Sequence, residues 1–165
     1  MSGMTGAGNS EQSIRLGVQE LIGDYAECID EDRLEEWPDL FADPCRYLVI
    51  SRSNHEAGMR QGVIYAATRG MLLDRVFTIR NANLFEPHRY RHVIGPIRLK
   101  SVEDSTAIVH SHFIVARIMH TGETTMFATG RYLDRIDIST DTYRFTERIA
   151  VLDSDRIDTL LAIPI

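Results

Sequence analysis

At 165 residues, with 44% apolar and 25% charged side chains, the chain can bury a core without staples and has the balance of an ordinary globular protein. Its net charge of −6 argues against a nucleic-acid surface, which needs a clustered basic face, and no apolar run approaches the roughly 20 residues that span a bilayer. The two cysteines, Cys28 and Cys45, form no disulfide framework and read as small buried hydrophobes of a reduced, cytoplasmic protein.

Residues 1–10 are small and polar without a hydrophobic signal segment. They are expected to form a flexible tail ahead of one domain over 11–165. Apolar residues at 14, 18, 21, 22, 25, 26 and 29 predict a helix over 10–29, with Ser10 as N-cap and Glu11 in the first turn. A short helix is expected over 32–41, interrupted by Pro38, which restricts Trp37. Asp43-Pro44 reads as a turn and 45–50 as the first strand.

A loop over 51–61 then precedes a third helix over 62–80, apolar at 63, 64, 67, 71, 72, 76 and 79. Gly70 inside it costs roughly 1 kcal/mol relative to Ala, which points to close packing there. Beyond Pro87 the pattern is β: 90–101, 106–120, 124–138 and 143–153, joined by short polar turns at 102–105, 121–123 and 139–142. Strands this long must twist and curl. Helices first and a strongly curved antiparallel sheet afterwards predict an α+β cone, with the helices packed on its concave face.

The densest chemistry lies in the run Glu86-Pro-His-Arg-Tyr-Arg-His92. On a strand His88 and His92 stand about 13 Å apart, too far to share an ion. His110 and His112 point to one face about 6.6 Å apart, but Arg131 and Leu133 are expected opposite them, and neither is a third ligand. No metal site is therefore assigned to this chain. Two isolated cysteines exclude an iron–sulfur cluster held here, and there is neither a glycine-rich phosphate loop nor a nucleophile elbow.

Acid–base chemistry in the cone is the alternative. Asp24 and Tyr25 on the first helix, with His92 and His110 on strands, would line such a cavity; Asp24 also reads as a solvated helix residue and Tyr25 as a core aromatic. Glu147, between Phe145 and Ile149, needs a cation, and Arg131 or Arg135 on the next strand is expected to supply it.

Several segments taken in order, Tyr25 through Tyr47, Met71-Leu-Leu-Asp-Arg-Val76, Arg80-Asn-Ala-Asn83, Glu86 through His92, Glu147-Arg-Ile-Ala-Val-Leu-Asp153 and the final Ile163-Pro-Ile165, together resemble the small (β) subunit of aromatic-ring-hydroxylating dioxygenases. The stretch Arg117-Ile-Met-His-Thr-Gly-Glu-Thr124 is most similar to the branch acting on aromatic carboxylates such as terephthalate, anthranilate and benzoate.

The resemblance implies the nuclear-transport-factor-2-like (SnoaL-like) cone, shared with scytalone dehydratase and ketosteroid isomerase. It also implies a non-catalytic structural role. A separate large (α) subunit would carry a Rieske [2Fe-2S] cluster and a mononuclear Fe(II), and would hydroxylate the arene with dioxygen and NAD(P)H-derived electrons. Three small subunits would form a trimer within a hetero-hexamer of three large and three small chains.

The strand over 107–119 is apolar on both faces, with Val109, Phe113 and Val115 on one and Ile108, Ile114 and Ile118 on the other. Such a sheet needs a second outer layer, which subunit contact is expected to supply. His88, Arg89, Tyr90, Arg91, His110 and His112 are the candidate interface residues. A stand-alone cone-fold isomerase, dehydratase or small-ligand binder would instead use Asp24, Tyr25 and His92.

Overall fold

The computed structural model describes residues 10–82, 85–156 and 161–165. The expected tail therefore lies outside the described residues, apart from Ser10, as does Asn83. Helix α1 (Glu11–Asp30) starts where Ser10 Oγ accepts the Ser13 N–H at 3.2 Å. It buries each of the apolar positions that gave the helical period, Ile14 through Ile29, and it stops at Asp32, whose φ of 58° leaves the helical region.

That left-handed residue and Pro38 reduce the expected helix over 32–41 to a 3₁₀ turn, Trp37–Leu40. Strand β1 (Phe41–Ser51) follows at once. Asp43-Pro44, read as a turn, lies inside β1 at the register break between Phe41 and Arg46, with a cis peptide bond. The loop after β1 opens with a short helix, α2 (Arg52–Glu56).

The expected helix over 62–80 is shorter. Residues 64–66 form strand β2 (Ile64–Ala66), in which Ile64 and Ala66 are buried and Tyr65 is exposed. Helix α3 (Arg69–Asn81) begins only after Thr68, whose Oγ1 accepts from Met71 N. Gly70 is not at a close approach: a Cβ there would meet only Thr68 Oγ1, at 3.6 Å.

The expected strand over 90–101 divides at Gly95-Pro96 into β3 (His88–Ile94) and β4 (Arg98–Glu103). Proline has no N–H to continue the ladder, so the two pieces pair with opposite ends of β5 (Thr106–Met119). Strands β6 (Thr124–Asp137) and β7 (Arg144–Leu152) complete the antiparallel meander. The order is β2-β1-β7-β6-β5-β3, with β4 also on β5. The sheet is not wholly antiparallel, because β1 runs parallel to β7.

Helix α1 packs on the inner face, where Tyr25 meets Tyr132 and Phe145 edge-on at 6.1 and 5.8 Å. On the outer face the two halves of the sheet differ. Leu48, Ile50, Ile149 and Val151 form a second buried cluster with Leu133, on the β1–β7 half against which α2 packs. The chain thus covers the β1–β7 part of its own outer face. The β5–β6 half stays open, leaving Val93, Ile114 and Met126 at 57, 41 and 71% exposure.

Gly130, where β6 crosses beneath Phe113, is required by space rather than by backbone angle. A Cβ there would stand 2.1 Å from Val151 O and 2.8 Å from the Phe113 ring. Gly130→Ala is expected to cost about 2–3 kcal/mol, the range of overpacked cores, read as a lower urea midpoint. A midpoint equal to wild type would show that the strands move apart freely.

Candidate functional site

Large side chains crowd the cone interior. Trp37, Tyr25, Tyr47, Tyr132, Phe41, Phe145 and Arg148 are among its largest fully buried side chains. The guanidinium of Arg148 lies 3.7 Å from the Tyr132 ring centre, 4.0 Å from Tyr25 and 4.5 Å from Phe145, a cage of three π faces. Its charge partner is Asp134, directly across in the β6–β7 register, at Nε–Oδ1 3.7 Å. That is ion-pair distance without a hydrogen bond.

Burial raises the Asp134 carboxyl to about 7 although Arg148 pulls the other way. Burial also pushes the Tyr25, Tyr47 and Tyr132 hydroxyls upward, so all three stay neutral. Tyr25 and Tyr47 both donate to the Ile165 backbone oxygen, at 2.7 and 2.9 Å, tying the final residues into the core. The thiols of Cys28 and Cys45 are driven by burial to about 12 and about 11, far from reactive thiolates.

The Asp134 carboxyl has a consequence in pH. In the fold it keeps its proton up to about 7, whereas its ordinary value is 3.8. The folded state therefore binds more protons between those values, and this group's contribution to stability falls as pH rises from about 4 to about 7. Asp134→Asn, measured by urea midpoints at intervals between pH 4.5 and 7.5 (roughly the titration window), is expected to lack that downward slope. Parallel pH profiles for the two proteins would contradict it.

The residues proposed for an acid–base site do not converge. Asp24 is exposed on α1, whereas Tyr25 faces the core. His92 is buried, but its carboxylate partner is Asp30, not Asp24. Asp30 Oδ2 accepts the His92 backbone N–H at 2.8 Å, and Oδ1 lies 2.6 Å from His92 Nδ1. One carboxylate thus caps a free N–H of the edge strand β3 and fixes the ring beside it. Arg91 adds Nη2–Glu31 Oε1 at 3.2 Å and Nη1–Asp30 Oδ2 at 3.7 Å. His110 is on the outer face of β5, across the sheet from His92.

Of the candidate interface residues, Arg89, Arg91 and His112 are exposed, and His88 and His110 are half-buried. Tyr90 is 2% exposed and stacks on Phe127 at 5.1 Å; it supports the strand from within and is unavailable to a partner. His88 Nδ1 lies 2.8 Å from Glu86 O, with the ring between Phe85 and Tyr90. His110 and His112 stand opposite Leu133 and Arg131, the register expected.

Glu147 lies opposite Arg135 in the β6–β7 register. Its cation, however, is Arg46 of β1, at 3.0 Å. The irregularity in β7 between Phe145 and Glu147 turns Glu147 outward and Arg148 inward. An open cleft of about 480 Å³ at the end of β3 and β5 is lined by Asp30, Arg80, His88, Tyr90, Ile118 and Ile163, among others, but not by Asp24, Tyr25 or His92. Among the described residues no three His, Cys, Asp or Glu side chains are grouped to hold a metal ion, and no helix is long and apolar enough to cross a membrane.

Sequence reasoning does not single out Asp30, Asp134 or Arg148 as site residues. Asp134 had a signal: it alternates with Tyr132 and Ile136 on a buried face. Arg148 had none, because the β7 irregularity breaks the two-residue period just before it.

The α helices on a curved, antiparallel-rich sheet are the nuclear-transport-factor-2-like cone. The model of the family described as "Ring hydroxylating beta subunit" matches residues 25–159, and the chain belongs to this family of dioxygenase β subunits. It is 44% identical over 141 residues to the terminal-oxygenase β subunit 2 of terephthalate 1,2-dioxygenase from Comamonas sp., covering 86% of this chain and 92% of that one. It is 32% identical to the anthranilate 1,2-dioxygenase small subunit of Burkholderia cepacia, covering 86% and 88%. Among solved structures, the β subunit of a candidate aromatic-ring-hydroxylating dioxygenase from Novosphingobium aromaticivorans superposes with a TM-score of 0.86 at 39% identity, covering 93% and 98%.

Proposed function

We propose that this chain is the non-catalytic, structural small subunit of a cytoplasmic dioxygenase that acts on an aromatic carboxylate. The observation that carries this reading is its identity, along most of its length, to small subunits of terephthalate and anthranilate dioxygenases. Membership in a family of small subunits entails a large-subunit partner. That partner would carry the Rieske [2Fe-2S] cluster and the mononuclear Fe(II). Three small and three large subunits would form the assembly.

The packing around Arg148 supports a structural role for the middle of the cone, since the guanidinium and the aromatic residues around it occupy that space. Exposed Arg89, Arg91 and His112, with half-buried His88 and His110, are the proposed contacts.

Co-expression with a Rieske large subunit, followed by gel filtration and an oxygenase assay on terephthalate, anthranilate and benzoate, tests this. The expected result is one co-eluting complex whose activity survives His92→Gln in proportion to assembled protein. Failure to co-purify with any Rieske subunit would remove the reading. An assembled His92→Gln complex without activity would remove the non-catalytic role.

A further inference from the structure

The open half of the outer sheet face carries a cationic patch, whose flanking carboxylate, Glu147 opposite Arg135, is already paired with Arg46. Arg98 of β4 stands beside His110 and His112 of β5, with Arg131 and Arg135 of β6 opposite, and Lys100 at the β4 irregularity. Among the described residues Arg98, Lys100, Arg131 and Arg135 make no ion pair, and Arg131 Nε is buried without a hydrogen-bond partner. Burial first, then Lys100, Arg131 and His112, all push the His110 proton off; each charged neighbour acting on it is cationic. Such a patch on a chain of net charge −6 calls for an anionic partner.

The chain itself offers one. Glu20, Asp24 and Glu27 line an open groove with Ile94 and Ile97, at the i, i+4, i+7 spacing of one helical stripe. Glu20 and Asp24 make no ion pair among the described residues, and Glu27 only reaches Arg33 at 3.4 Å. The stripe spans about 10 Å along the helix, and the row from Arg131 to Arg135 about 13 Å along the strand. The two surfaces are commensurate. They lie on opposite sides of the sheet, because α1 covers the inner face, so they cannot meet within one molecule.

We propose that the acidic stripe of α1 in one copy docks on the basic outer face of β4–β6 in the next. The contact is head-to-tail, and repeating it closes a ring or extends a filament; the three-fold ring rests on the assembly proposed above. Val93 and Ile114, exposed beside the patch, add apolar area to the joint. The charge arrangement also sets the direction of docking, since two basic faces repel.

Charge exchange in the full-length chain tests this, by sedimentation equilibrium of the small subunit alone and by capture on its large subunit. Reversing the patch (Arg98→Glu with Arg131→Glu) or the stripe (Glu20→Arg with Asp24→Arg) is expected to weaken self-association at least about tenfold. Carrying both reversals in one chain should restore it, because each altered surface again meets its complement. Circular dichroism should be unchanged throughout. Association of the wild type should also weaken with added salt, a readout that needs no variant.

Self-association that is salt-independent, or that neither reversal affects, overturns the contact; so does failure of the combined variant to recover. If patch reversal abolishes capture by the large subunit yet leaves self-association intact, the patch belongs to the large subunit and the inference is wrong. A small subunit that stays monomeric but is still captured also overturns it, while leaving the proposed function standing.

Discussion

Above about pH 7, where the Asp134 carboxyl is ionised, Arg148→Met is expected to lower stability by about 3–5 kcal/mol, the cost of stripping one partner from a buried ion pair. That is a large part of the roughly 5–15 kcal/mol that holds a typical domain together. The side chain is fully buried among Tyr25, Tyr132 and Phe145, with Asp134 as its counter-charge. Methionine fills much of the volume but leaves the carboxylate alone and gives up the contact between a cation and three π faces. Lysine should not rescue it, because a compact ammonium cannot lie flat between rings as a guanidinium does.

Pairing Arg148→Met with Asp134→Leu should recover much of the loss, since a buried pair replaced by apolar groups of similar volume is often neutral. Urea denaturation followed by circular dichroism measures all three variants. An Arg148→Met protein within about 0.5 kcal/mol of wild type, the usual scatter of surface substitutions, would mean that the interior is plastic.

Asp30→Ala should cost roughly 2–4 kcal/mol, because it orphans the His92 backbone N–H and ring Nδ1 together. Its effect should be local as well as global. Strand β3 is an edge, held on one side by β5 and on the other by this carboxylate. Hydrogen exchange at the His92 amide should therefore accelerate more than at Val109 or Val115 in β5. Asp30→Asn should fall between wild type and alanine, since one amide oxygen can replace only one of the two acceptors. Unchanged His92 protection in the alanine variant would show that α1 does not hold the strand.

Those two sites mark where the sequence was readable and where it was not. The helical period of α1 was correct at every position, and the alternation of β5 sorted Val109, Phe113 and Val115 from Ile108 and Ile114 correctly. Both patterns run long enough for periodicity to decide. Strand β2 has only three residues, and the apolar residues around it also fitted a helix.

Sequence reasoning groups His92 with Asp24 in one cavity, whereas the carboxylate beside it is Asp30. Six residues separate the two aspartates, about 240° around the helix, so one faces solvent and the other the sheet. Arg148 was hidden by a single irregularity that exchanges the two faces of β7. The parallel pairing of β1 with β7 joins segments about a hundred residues apart, which no local pattern reports.

That pairing sets an order in time. Strand β7 is made after every other described strand, yet it lies between β1 and β6 and joins the two parts of the sheet. On the ribosome, the β1–β2 hairpin and the β3–β6 sheet must wait as separate pieces, each with an open edge, and isolated hairpins are marginal. Contacts of such long range also form slowly. A nascent chain interrupted anywhere before Arg144 thus lacks the strand that unites the sheet, and with it Arg148, the cation at the centre of the core. The topology thus makes the continuous sheet, and any surface built across it, depend on β7.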